Sequence, residues 1–109
     1  MSDPNEISQV STEDVELNEA RLGYAILVNG TYVGSIEGIP GKVEHIEVEP
    51  HWEGKGIARV ALHEFVCLSR DHEIPEVTVN NAVHPAMEHI LETEGFEEVS
   101  EGIGWKIET

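Results

Sequence analysis

Cations are scarce in this chain: six lysines and arginines stand against 22 aspartates and glutamates, for a formal net charge of −16 over 109 residues. Such a balance opposes nucleic-acid binding, because a polyanion needs a basic patch, and only Arg21, Lys42, Lys55, Arg59, Arg70 and Lys106 are available to build one. A single cysteine, Cys67, excludes an internal disulfide, and its neighbours Val66 and Leu68 favour a buried thiol over a nucleophile. No apolar run approaches the ~18 residues of a membrane span. The opening Met-Ser-Asp-Pro-Asn-Glu carries neither the basic start nor the apolar segment of a secretion signal. The expectation is a soluble, untargeted, cytoplasmic protein. Among the six histidines, His84 and His89 are five apart on an expected helix, without a Cys pair or a His-Glu-x-x-His arrangement, so no metal is expected.

The acidity has two explanations: steering of a cationic partner, or adaptation to a salt-rich cytoplasm in which a glutamate-rich, lysine-poor surface stays solvated and its self-repulsion is screened. The excess is spread through the chain rather than gathered in one tail, which favours the salt reading and a halophilic source.

The length suits one domain with a core of its own. Residues 1–14 are polar and read as a frayed N-terminal segment, with 15–109 as the domain. Ser11 to Asp14 resembles a capping box ahead of Val15, Leu17 and Ala20, so a short helix ending near Gly23 competes there with a strand. Tyr24 to Val28, Asn29-Gly30 and Thr31 to Ile36 form a hairpin signal, two β-rich runs joined by the dipeptide best suited to a type I′ turn. Gly38, Pro40 and Gly41 turn the chain again. Lys42 to Glu49 then alternates Val43, His45 and Glu47 on one side with Glu44, Ile46 and Val48 on the other.

Residues 48–62 read as strand end, glycine loop and helix start. Gly54 and Gly56 let the backbone take left-handed angles and come close to a ligand, while the following helix directs unpaired N–H groups and its positive dipole end into the loop. A phosphate fits such a cradle, although a bare Gly-x-Gly is more often an ordinary turn. Ile57, Ala58, Ala61, Leu62, Phe65, Val66 and Leu68 form an apolar stripe at helical spacing. Glu76 to Asn80 is expected as a strand and His84 to Thr93 as a second helix, with Pro85 in its first turn and Gly95 at its stop. Phe96 to Val99 and Gly104 to Ile107 follow as a strand pair. Helices set between strands imply an α/β sheet of mixed direction.

Two elements carry a resemblance. Val48-x-Pro50 followed by Glu-Gly-Lys-Gly-Ile-Ala at 53–58 resembles the acetyl-CoA loop of the GCN5-related N-acetyltransferase (GNAT) family, whose pattern is Gln or Arg, two residues, Gly, one residue, then Gly or Ala; Gly56 and Ala58 match. The run from His84 to Phe96 is similar to that family's second helix, with Pro85, Ala86, Gly95 and Phe96 at matching spacing. The resemblance covers about residues 22 to 107, in a chain shorter than most members.

The resemblance implies a mixed, mostly antiparallel sheet with splayed central strands and two main helices. It further implies acetyl-CoA as cosubstrate, bound by Val48, Glu53, Gly54, Lys55, Gly56, Ile57, Ala58, Arg59, Asn80 and His84. A primary amine would attack the thioester directly in a ternary complex, with the backbone N–H of Val48 polarising the carbonyl. Candidate general bases on the cleft-wall strand are His45, Glu44 and Glu47, of which His45 has the pKa suited to neutral pH. Three positions depart from the pattern. Glu53 puts a carboxylate in the Gln/Arg position, His84 replaces the usual Asn, and Leu91 replaces a Tyr that would protonate the leaving thiolate. Those departures keep open an alternative, a non-catalytic acyl-CoA-binding sensor or interaction module. Monomer and homodimer are both open, with the strand at 104–107 as a candidate for pairing across a dimer. No nucleic-acid or membrane partner is expected.

Overall fold

A computed structural model of the chain describes residues 9–80, 85–100 and 104–109. His84 and Asn81 lie outside the described residues. Seven strands and two α-helices follow in the order β1 (Val15–Ala20), β2 (Gly23–Val28), β3 (Thr31–Ile39), β4 (Lys42–Val48), α1 (Ile57–Asp71), β5 (Glu76–Asn80), α2 (Pro85–Thr93), β6 (Glu97–Ser100) and β7 (Gly104–Glu108). The strands form one sheet in the order β1-β2-β3-β4-β5-β7-β6. Every neighbouring pair is antiparallel except β4 and β5. This is the mixed, mostly antiparallel α/β sheet with two helices that the sequence implies.

The segment 15–20 is a strand, not a helix. Its capping-box chemistry is nonetheless present: Asp14 Oδ2 accepts from Ser11 N at 3.0 Å and from Ser11 Oγ at 3.1 Å. The pair closes a turn, and Asn29 N donates to Asp14 O at 2.9 Å, which feeds the chain into the sheet. Tertiary pairing of β1 along the whole of β2, from Val15↔Val28 to Ala20↔Gly23, overrides the local helix signal. In the β2–β3 hairpin, Asn29 (φ 48°) and Gly30 (φ 87°) both take left-handed angles, as a type I′ turn requires. Strand β7 sits between β5 and β6, so both its edges are paired within the chain and the expected strand for dimer pairing is already used.

Helix α1 buries Ile57, Val60, Ala61, Leu62 and Phe65 in one core with Ile26, Val28, Val33, Ile36, Val43 and Val77; Val60 lies outside the expected stripe, whose Ala58, Val66 and Leu68 are half-buried. Phe65 is fully buried and meets the Tyr24 ring edge-on at 5.8 Å between centroids. Both helices stop on hydrogen-bonded reversals that satisfy their last carbonyls. After α2, Phe96 N donates to Leu91 O and Gly95 N to Glu92 O, with Gly95 at φ 91° in the stop position expected of it. After α1, Ile74 N donates to Ser69 O and Glu73 N to Arg70 O.

Burial pushes the Tyr24 hydroxyl above the ordinary tyrosine pKa, and the Glu19 carboxylate across the strand pair adds to the shift. The folded chain therefore holds this proton to higher pH than the unfolded chain. Its effect on stability is nil below about pH 10 and becomes a loss as pH rises beyond it. Tyr24→Phe should flatten the alkaline fall of the melting temperature between about pH 9 and 11, measured by circular dichroism, while leaving the neutral region nearly unchanged.

Candidate functional site

The two central strands share only a short ladder. Lys42 pairs with Thr78 and Val43 with Val79. Beyond Val43, β4 runs on to Val48 with no strand on that side among the described residues. The starting point of the ladder is set by Gly41, whose O accepts from Thr78 N at 2.9 Å and whose N donates to the buried Ser69 Oγ of α1 at 2.9 Å. Sheet and helix are thus registered at the start of the short ladder.

On its other edge β4 carries a β-bulge. Glu37 pairs with His45 and Gly38 with Val43, leaving Glu44 as the extra residue. Partners across a ladder share a face, so Val43, opposite Gly38, lies with Ile46, opposite Ile36, and with Val48. Val43 is buried and Ile46 and Val48 are half-buried, whereas Glu44, His45 and Glu47 are exposed. The strict alternation expected from the sequence, with Val43 beside His45 and Glu47, fails because the bulge shifts the parity by one residue.

From β4 the chain passes through a short 3-10 turn, Pro50–Trp52, into the glycine loop. Gly54 (φ 81°) and Gly56 (φ 77°) are both left-handed, and Gly56 is the N-cap of α1 with no side-chain cap, so the first amides of the helix are left to a ligand or water. This loop, β4 and α2 enclose a cleft of about 950 Å³, within the usual ~300–1,000 Å³ of small-molecule sites. Ile46, Val48, Trp52, Ile57, Met87 and Ile90 give it an apolar wall, and His45, Glu53, Arg59, His89, Thr93 and Gln9 add polar groups.

The cleft gathers most of the residues singled out from the sequence. Val48, Glu53, Gly54, Gly56, Ile57, Ala58 and Arg59 line it, as does His45 among the three base candidates. Lys55, Glu44, Glu47 and Asn80 are not among the lining residues. Glu44 Oε1 lies 3.6 Å from Lys42 Nζ, Glu47 Oε2 lies 3.9 Å from His45 Nε2, and Asn80 pairs with Gly104 at the end of β5. Leu91 is fully buried in the core and offers the cleft no proton. Arg59 Nη1 and His63 Nδ1 reach Glu94 at 3.4 and 3.5 Å, tying α1 to the end of α2 across one rim. Among the described residues no cluster of three His, Cys, Asp or Glu side chains could hold a metal ion. No helix among the described residues is long and apolar enough to cross a membrane.

Sequence reasoning missed Gln9, Ile46, Met87, His89, Ile90 and Thr93 as lining residues. Met87, Ile90 and Thr93 follow the i, i+3, i+6 spacing of one helix face, a signal that was present. Gln9 had no comparable signal.

The comparisons agree on this architecture. A probable acetyltransferase superposes with a TM-score of 0.65 at 17% identity, over 79% of this chain and 60% of the other. An IAA acetyltransferase from Bacillus cereus ATCC 14579 gives 0.65 at 19% identity, over 79% and 76%. PaiA N-acetyltransferase from Thermoplasma acidophilum, solved in complex with coenzyme A, gives 0.58 at 19%, over 88% and 60%. The fold is that of the GNAT acetyltransferases. This chain spans about three-fifths of the length of two of those proteins and about three-quarters of the third. No family model matches the sequence, and no curated protein matches it either.

The left-handed angle at Gly56 makes that position testable. A Cβ there would also stand 2.7 Å from Gln9 Oε1, whereas a Cβ at Gly30, which is left-handed too, would meet nothing within 4 Å. Gly30→Ala should cost about 1–2 kcal/mol in urea unfolding, and Gly56→Ala should cost more than Gly30→Ala. Equal costs would show that the Gln9 contact is immaterial.

Proposed function

We propose that the protein is an acetyl-CoA-dependent N-acetyltransferase acting on a primary amine. The observation that carries the reading is the placement of the Gly54–Gly56 loop at the start of α1, beside a stretch of β4 that β5 leaves uncovered. The loop suits a pyrophosphate, through helix amides and left-handed glycines that permit close approach. The uncovered edge of β4 suits an extended pantetheine arm, whose amides can bond the strand backbone, and the Ile46, Val48, Met87 and Ile90 wall suits its methylenes.

In this reading the amine nitrogen attacks the acetyl carbonyl carbon, the N–C bond forms, and the C–S bond breaks as the tetrahedral intermediate collapses. The nitrogen passes its proton to a base, and the thiolate takes one from solvent. His45, the base candidate among the cleft-lining residues, is proposed to accept that proton. The Val48 N–H is the candidate donor to the developing oxyanion. Glu44 and Glu47 are the weaker candidates, since neither lines the cleft. Lys55 and Arg59 are proposed to offset the Glu53 carboxylate beside the pyrophosphate, with Asn80 and His84 as further cofactor contacts.

The buried Leu91 favours a second reading, an acyl-CoA sensor without turnover, because a leucine at that position has no proton to give the thiolate. Calorimetry with coenzyme A in high salt, followed by thiol release from acetyl-CoA over a panel of amines, separates the two. Binding with turnover supports the enzyme, binding without turnover on any amine supports the sensor, and absence of binding removes both. For an active chain, His45→Ala should lower kcat by about 100-fold with little change in KM for acetyl-CoA; an unchanged kcat would remove His45 as the base.

We also read the net charge of −16 as an adaptation to a salt-rich cytoplasm. Screening by salt should then raise the melting temperature steadily between about 0.1 M and 1 M KCl, as the Debye length falls from about 10 Å to 3 Å. A flat response would count against it.

A further inference from the structure

We infer that Gln9 and Val10 form a clamp on the coenzyme loop, a positioning device supplied from outside the 53–58 motif; this deepens the coenzyme A reading above and rests on it. Two hydrogen bonds make the connection. Val10 N donates to Lys55 O at 2.9 Å, and Gln9 Nε2 donates to Gly54 O at 3.3 Å, across 45 residues of sequence. Consecutive carbonyls of the loop are therefore held by consecutive residues of the N-terminal segment.

The segment that grips the loop is itself fixed. Val10 is 5% exposed and belongs to the hydrophobic core, and the Ser11–Asp14 turn beyond it leads directly into β1. The clamp thus hangs on the far edge of the sheet and reaches back to the start of α1. Its other approach is to Gly56, since Gln9 Oε1 lies 2.7 Å from the point that a Cβ on that residue would occupy. A carboxamide at that spot holds one glycine by a hydrogen bond and packs on the other.

The loop needs such an external hold. Two left-handed glycines a residue apart sample many other backbone states when free, and Gly56 caps α1 without a side chain to fix the turn. Ordering the loop only when a ligand arrives would subtract from binding free energy, whereas a loop held in advance does not incur that loss. The clamp acts on the phosphate end of the cleft alone. Its hydrogen bonds fall on Gly54 and Lys55, and its close approach is to Gly56.

The test uses the full chain, with coenzyme A and pantetheine as probes; pantetheine keeps the thiol arm and lacks the pyrophosphate. Affinities are measured by calorimetry for coenzyme A and by ligand-observed NMR for pantetheine, on wild type, Gln9→Ala and Gln9→Met. Gln9→Ala removes the whole carboxamide, and Gln9→Met keeps its length without charge while removing the donor to Gly54 O. Each variant should bind coenzyme A about three- to tenfold more weakly, the worth of one hydrogen bond. Pantetheine affinity should stay at the wild-type value and the melting temperature should move by no more than a degree or two. Unchanged coenzyme A affinity would overturn the clamp, and so would an equal loss for both probes, the mark of general loosening. Tighter coenzyme A binding by Gln9→Ala would also overturn it, because the carboxamide would then be occupying the ligand's place. A wild-type chain that binds neither probe removes the coenzyme reading and the clamp with it.

Discussion

Between Lys42–Val43 and Thr78–Val79 the central strands share a parallel ladder, and past Val43 that ladder stops. A backbone edge inside a protein has to bond something, and where no strand covers it, water or a ligand must. The cleft beside Ile46 and Val48 follows from this. The sheet opens on one side of β4 while staying closed on the other through β3, and the chain leaving β4 turns through the 3-10 segment into the glycine loop at the mouth of the opening. Gly41 anchors the start of that ladder by bonding β5 and the buried Ser69 of α1 at once. The helix that presents its N-terminus to the cleft and the strand that forms its wall are therefore tied together through one residue.

Much of this arrangement could be read in the residues, and the parts that could not have physical reasons. The Asn29-Gly30 turn, the left-handed glycines of the loop, the Ile57, Ala61, Leu62 and Phe65 centre of the α1 stripe and the Gly95 stop are local signals: each depends on the backbone preference or spacing of a few neighbours, and each held in the structure. Residues 15–20 carried a helix-start motif and a strand pattern together, and the choice was made by β2, which no local rule contains. The faces of β4 were misassigned past Val43 because a bulge depends on the partner strand. Glu44 has nothing in its own neighbours to mark it as the unpaired residue. Gln9 was invisible for a related reason, since a polar residue in a stretch without periodicity acquires meaning only from the loop 45 positions away that it touches.

The charge distribution gives the cleft a mixed character. Glu53 stands on the loop, while Arg59, one turn into α1, has Glu94 as a partner at 3.4 Å. With His63 on the same carboxylate, that contact links the two helices at a rim of the cleft. Pairs of this kind on an exposed surface contribute little to stability, about 0–1 kcal/mol. Their value here lies in geometry, because they hold the end of α2, and with it the Met87–Ile90 wall, at a fixed distance from the loop.

The bulge at Glu44 makes the length of β4 matter more than its composition. Because faces alternate residue by residue, the number of residues between Val43 and Val48 decides which side chains are sheltered and which meet solvent. Substituting Glu44 leaves that count intact. Removing it would restore an unbroken ladder with β3 and draw every later residue back by one position, misaligning the chain that leads through Pro50 into the loop. Variation at this wall of the cleft should thus be generous in chemistry and intolerant of insertion or deletion, so that aligned relatives would share its spacing even where they share none of its residues.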